Sequence, residues 1–346
     1  YYLTIEKIRK AVGDDDIYLI IDETTDCKAR KVCNVIVGVM NGTDQRPMLL
    51  CVKFLQEVNN ETICQTINEA CSLLWNGKIQ YKKLLLVVSD QARYMLLAIK
   101  NLKLTNMYPN LHHITCIAHA LHRVCEKIRL GNLLANKLIG DVKNVLQNSN
   151  SRKMKFVQST GLALPPDVVL TRWGTWLNAA FYYGENFDKI KDFIDNLNGK
   201  STAIRSVKDL IQNEDVQEEL MNLMQFNFIT SAIEKLESRG LKFNEQINIL
   251  NEVQSKLTGN VLNKLIESLK KNPDINTFRN SNKSFEFKTK TEFAPCVSVE
   301  VERSFSMYKN ILSELRTSMT EDNVEMNNII YYNSFLYILF VLLVIK

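Results

Sequence analysis

The chain has 346 residues, 46% of them hydrophobic and 23% charged, values that exclude disorder as its dominant state and give room for one large domain with an insertion or two modest ones. A formal charge of +5 and an isoelectric point near 8.6 permit a polyanionic partner without requiring one. Eight scattered cysteines, behind an opening segment YYLTIEKIRKAVGDDD that has no basic-then-apolar leader pattern, argue against a secreted disulfide scaffold and for reduced thiols in the cytosol or nucleus.

In chain order, IYLII from Ile17 runs into DETTD, VCNVIVGVM follows, and PMLLCVKFL comes after a turn at Asn41-Gly42 and Pro47. The short separations and the Asn-Gly pair predict antiparallel connections. The near-continuous apolar character predicts strands buried on both faces. Ile63, Ile67, Ala70, Cys71 and Leu74 then recur at helical spacing. KKLLLVVSD reads as another buried strand, ARYMLLAIKNLK as a helix, HHITC as a short strand and AHALHRVCEKI as a helix, with more helix through Leu146. A three-strand meander, a helix, then a strand beside the first predict an α/β fold around a mixed sheet, filling 1–176.

Beyond Trp176 the pattern turns helical. Phe187, Ile190, Phe193, Ile194 and Leu197 form one stripe, Val216, Leu220, Leu223 and Met224 a second, and Ile247, Leu250, Val253 and Leu257 a third. These predict an all-helical insertion over 177–271. Residues 272–295 are polar and basic, and read as a linker. Val297, Val301, Phe305, Tyr308, Leu312 and Leu315 then align on one helical face, with Pro295 near its start. Phe335 to Ile345 is an apolar run too short to cross a bilayer of roughly 30 Å as a helix. A buried helix or strand, an extension outside the fold, and a membrane anchor all remain open for this tail, 335–346.

Two carboxylates are placed to carry chemistry. Asp22 and Asp90 each close an apolar strand, and strand ends opening on a crevice are where α/β sheets display functional groups. An aspartate there is costly unless paired, hydrogen-bonded or metal-bound. Two on neighbouring strands suit a shared divalent cation in phosphoryl transfer; capping of the following turn or helix is the alternative. Cys116, His119, His122 and Cys125 step by three along one helix, so they rotate steadily and do not converge on one zinc ion.

Five blocks are more specific in combination. IIDETTD, SDQARYM, CIAHALH, TRWGTW and VSVEVERSFSMYKNILSELRTSMTEDNVEMNNIIYYN occur in this order, and together resemble the hAT superfamily of DNA transposases over most of 14–334. The resemblance implies a ribonuclease-H-like core, interrupted by the helical insertion and completed by a carboxy-terminal dimerisation region over 296–334. It implies that Asp22, Asp90 and Glu302 are the catalytic triad, holding Mg²⁺ or Mn²⁺ that activate water and later a DNA 3′-hydroxyl for attack on phosphodiesters. It also implies DNA contact by Cys116 and His119 and by Arg172 and Trp173, the tryptophan stacking on a base. Self-association would run through Val301, Phe305, Tyr308 and Leu312, in a nuclear protein whose partners are DNA and its own copy, with no membrane.

Bland readings stand beside these: a buried helix face for Cys116 and His119, and a core tryptophan with a capping arginine for Trp173 and Arg172. Lys283, Lys288 and Lys290 read either as phosphate contacts or as a solvated basic loop. The sequence departs from the family pattern at Gln91, where Asn is usual, and at Val301, where the usual core Ser-Glu-Arg-x-Phe-Ser begins with Ser. Glu300 competes with Glu302, but lies roughly 200° around a helix from it. No Cys-x-x-Cys with a downstream His pair occurs, so the family's zinc finger has no counterpart here and recognition of element ends is not expected. The rival function is a non-catalytic interaction protein that keeps the fold and dimerises.

Overall fold

The computed structural model of the chain describes residues 1–147, 149–169, 172–199, 201–279, 284–312 and 318–337, with only the backbone of Trp173. These residues form two compact units. One takes Tyr1–Ile117, Glu237–Asn248 and Lys270–Lys346, the other Ala118–Leu236 and Ile249–Leu269.

The first unit opens with α1 (Tyr2–Val12), β1 (Ile17–Thr25), β2 (Lys31–Val39), β3 (Met48–Leu55), α2 (Asn60–Leu74), β4 (Leu84–Ser89), α3 (Arg93–Leu104) and β5 (His112–Thr115). The strands form one sheet in the order β3-β2-β1-β4-β5. β1–β2 and β2–β3 are antiparallel, whereas β1–β4 and β4–β5 are parallel. The α/β class and the mixed sheet are therefore as the sequence predicts. Ile20, Val35 and Val87 are at most 1% exposed, and full burial of such side chains stabilises by about 1.5–3 kcal/mol each.

Local chemistry fixes the connections. At the β1–β2 hairpin Asp26 accepts the Lys28 and Arg30 amides at 2.9 Å each, while Ala29 takes the left-handed conformation at φ 60°. Asn59 begins α2 with a reciprocal capping box to Thr62. Gly38 lies opposite Tyr18, whose ring occupies the space a Cβ would need, 2.1 Å from the ring carbon bearing the hydroxyl. A side chain there would displace the tyrosine.

The helical unit follows with α4 (Ile117–Gly131), α5 (Leu133–Gln147), α6 (Asn150–Thr160), α7 (Trp173–Glu185), α8 (Phe187–Asp195), α9 (Thr202–Ile211), α10 (Glu214–Leu223), α11 (Asn227–Leu236), the second half of α12 (Phe243–Lys256), whose first half belongs to the sheet unit, and α13 (Gly259–Lys270). Trp176, Ala180 and Tyr183 line the buried face of α7, which packs on α10 and α11. Phe156 and Phe193 meet edge to face, 5.0 Å between centroids. Side-chain caps at Ser149, Ser201 and Asn213 start α6, α9 and α10. This unit gathers more chain than the predicted insertion, because α5 and α6 pack on the later helices α8, α9 and α10.

The chain returns through α14 (Ile275–Arg279) and α15 (Phe285–Lys290) to α16 (Val299–Ile311) and α17 (Glu321–Tyr332). The segment expected as a linker thus contains two short helices. Their cause is aromatic: Phe278 sits 5.1 Å from His112, 5.4 Å from Phe287 and 5.6 Å from Phe243. Lys290 is engaged by Asp16 and Glu286, each at 3.0 Å; Lys283 lies outside the described residues. α16 packs on β1 and β2, and α17 on β3 and α16. Of the apolar tail, 338–346 lies outside the described residues. No helix among those described is long and apolar enough to cross a membrane.

Candidate carboxylate site on the sheet

In the parallel pair, Ile20 of β1 stands opposite Val88 of β4. Two residues further along come Asp22, still inside β1 and on the same face as Ile20, and Asp90, one residue beyond the end of β4. Asn34, directly across β2 from Asp22, shares that face. Its Nδ2 donates to Ser304 Oγ at 2.7 Å, which brings α16 down over the same surface. The opposite face belongs to α3, where the Tyr94 hydroxyl donates to Glu23.

The phase of α16 decides between its two glutamates. Glu300 is 8% exposed and turned toward α17: the Tyr332 hydroxyl donates to Oε2 at 2.6 Å. Arg239 reaches it through two bonds of 2.7 and 3.0 Å, and Arg303 donates as well. Burial pushes its carboxyl upward, but Arg239, Tyr332 and Arg303 outweigh that and hold it below the usual range. Glu300 is thus committed to an ion cluster in which it is buried itself while its arginine partners reach solvent. Glu302 occupies the other flank, roughly 200° around the helix, away from α17 and β3.

Hydrogen bonds orient both aspartates. Asp22 Oδ1 accepts the Glu23 amide at 2.9 Å. Asp90 Oδ1 accepts the Ala92 amide at 2.8 Å, closing the turn that leads into α3. Ser89 Oγ donates to the Asp90 carbonyl at 2.8 Å. Its single proton is then engaged, and His113 Nε2 at 2.9 Å is the donor to Ser89. Burial lowers the His113 pKa to about 4, which keeps this ring neutral. Glu23 is pushed up, first by burial and also by the neighbouring Asp90 charge. Asn34, Ser304, His113 and Tyr94 are supporting residues without a role in the sequence reading; only Tyr94 and Ser304 lie in quoted motif blocks.

Hard carboxylate oxygens are the donors that Mg²⁺ and Mn²⁺ prefer. Among the described residues, however, no three His, Cys, Asp or Glu side chains stand close enough together to hold an ion. Asp22, Asp90 and Glu302 suit the metal in chemistry, but they do not gather into an ion-holding group.

No protein-family model matches this chain. No curated protein matches it either.

The remaining predicted residues fall in three places. Cys116 is fully buried and its Sγ accepts the Ser298 amide at 3.2 Å, a structural contact that secures the approach to α16. His119 is half-buried, its ring 6.3 Å from that of His122. His122 Nδ1 accepts the Gly174 amide at 3.3 Å, and burial, with His119 and Arg172 nearby, lowers its pKa to about 4. Arg172 stands at the start of α7, where its carbonyl accepts from Thr175; the Trp173 side chain lies outside the described residues. Val301, Phe305, Tyr308 and Leu312 are between 0% and 8% exposed. That stripe faces the chain's own interior, so any self-association surface in this segment involves other side chains.

Proposed function

We propose that this chain is a transposase-derived protein of the hAT type, whose ribonuclease-H-like unit cleaves and transfers DNA strands with Asp22, Asp90 and Glu302. The observation that carries this reading is the parallel pairing of β1 and β4, whose last paired residues, Ile20 and Val88, precede Asp22 and Asp90 by two positions each, with α16 held by Ser304 over Asn34, the cross-strand neighbour of Asp22. Supporting it are the strand order β3-β2-β1-β4-β5 and the withdrawal of Glu300 into its arginine cluster. Mg²⁺ or Mn²⁺ held by these carboxylates would supply an activated water and charge stabilisation for phosphodiester attack. Asp90 would be steadied by the His113–Ser89 chain behind it. DNA, a second copy of the chain and a nuclear location complete the proposal.

The test is nicking of supercoiled plasmid with Mg²⁺ or Mn²⁺. Wild-type chain should nick, and Asp22→Asn and Glu302→Gln should each lose at least about 100-fold in rate, the scale of removing a group that acts on the transition state. Equal nicking by the variants would reject the assignment. A second reading, a non-catalytic interaction protein, is favoured by one observation: the three carboxylates do not gather into an ion-holding cluster.

A further inference from the structure

The loop joining β2 to β3 carries Arg46, at the end of the sheet away from Asp22. Its guanidinium carbon lies 4.1 Å from the centre of the Phe335 ring and 5.7 Å from that of Tyr332, distances at which a cation is drawn to an aromatic face. The Nε atom is buried and has no hydrogen-bond partner, so rings rather than bonds hold the group. Among the described residues Arg46 has no hydrogen bond and no ion pair, and its two Nη atoms are not buried. The planar fork is thus held at its base and open to solvent at its tip.

Positive charge is in excess around it. Arg239 and Arg303 both spend their bonds on the single carboxylate of Glu300. After burial, the nearness of Arg239 and Arg303 lowers the Arg46 pKa, with Tyr332 and Glu300 opposing. Asp44 is exposed, its Oδ2 3.1 Å from where a Cβ on Gly240 would sit, and it makes no ion pair with Arg46. Three guanidinium groups therefore stand with two carboxylates. An arginine stays protonated in such surroundings, so its charge is met by solvent or by an anion.

The geometry points to a binding site for a phosphate group, two of its oxygens accepting from the Nη1 and Nη2 edge of Arg46. A planar fork with two parallel donors matches such an oxyanion. Arg239 and Arg303 contribute field rather than bonds, since Glu300 engages them. The site does not rest on the reading of the carboxylates on the sheet, because Arg46 stands at the sheet's other end.

The probe is inorganic phosphate, titrated by calorimetry into the full chain at low ionic strength. Saturable 1:1 binding with a Kd of about 1 mM is expected, the scale of so small a ligand. Arg46→Gln should weaken it at least about tenfold, as for a loss of charge-assisted hydrogen bonds. Arg46→Lys, which keeps the charge and loses the fork, should weaken it about threefold or more. Neither variant gives up a hydrogen bond within the fold. Acetate at matched ionic strength should bind more weakly than phosphate. A short duplex oligonucleotide separates the sources of the group. Affinity lost in Arg46→Gln beyond the loss in Lys10→Gln, an exposed-lysine control, identifies a nucleic-acid backbone; equal losses identify free phosphate. No saturable wild-type binding of phosphate up to about 20 mM, equal phosphate affinity in wild type and both Arg46 variants, or acetate binding as tight as phosphate would overturn the proposal.

Discussion

Asn34 and Ser304 lie 270 residues apart in sequence, yet the Asn34 amide donates to the Ser304 hydroxyl at 2.7 Å in the buried centre of the sheet unit. Ser304 Oγ in turn donates to the Val301 carbonyl at 2.6 Å. This pair fixes the height and phase of α16 above Asp22, and with it the flank on which Glu302 stands.

Removing either partner should therefore cost stability and move Glu302. Asn34→Ala is expected to lower unfolding free energy by about 1–3 kcal/mol, because Ser304 Oγ would lose its buried donor and keep only its own bond to the Val301 carbonyl. Chemical denaturation of Asn34→Ala, Ser304→Ala and the double variant should show strong coupling. Additive losses would mean that the bond does not hold the helix.

Glu300 predicts a different result. Its carboxylate is buried, but Arg239 and Arg303 keep 45% and 33% of their side chains in solvent and can hydrate when it is removed, so Glu300→Ala should destabilise by about 1.5–3 kcal/mol through the lost charge-assisted hydrogen bonds. Its carboxyl is held below the usual range in the folded chain. The stabilisation is thus present above the unfolded value, about 4.3, and is lost as pH falls through the folded one. Denaturation midpoints of Glu300→Gln and wild type, followed from pH 7 downward, should converge only in acid.

His113 and His122 add a second acid window. Both have folded pKa values lowered to about 4, against about 6.5 unfolded. Between these values the unfolded chain binds the extra protons, so stability is flat above about pH 6.5 and falls as pH drops toward 4. The expected loss is on the order of 3 kcal/mol per histidine. Imidazole resonances of both rings should stay neutral at pH 6 by NMR; titration near 6.5 would contradict their burial.

The apolar stripe of α16 separates core packing from self-association. Val301→Ala and Phe305→Ala should each destabilise the monomeric fold by about 2–5 kcal/mol, independently of protein concentration. Midpoints that depend on concentration in wild type and lose that dependence in the variants would return these residues to an interface.

β1 to β4 were legible because each carries a continuous apolar run with turn residues near its ends, a pattern that needs no knowledge of partners, whereas β5 (HHIT) is short and mostly polar. The contest between Glu300 and Glu302 was legible as helical phase alone. What fills each flank was not, since Arg239 and Tyr332 reach Glu300 from 61 and 32 residues away. The stripe at Val301, Phe305 and Tyr308 announced a buried face, but periodicity does not say whether the cover is a second copy or the chain's own β1 and β2. The polar segment 272–295 hid its short helices because Phe278 and Phe287 are anchored by His112 and Phe243, aromatic residues distant in sequence.

The most direct test of the carboxylate assignment is calorimetric titration of Mn²⁺ into the wild-type chain, Asp22→Asn and Glu302→Gln. Saturable binding in wild type, abolished or weakened at least tenfold in both variants, is the predicted result. Equal binding in all three, or none in the folded wild-type chain, would contradict a metal site at Asp22, Asp90 and Glu302.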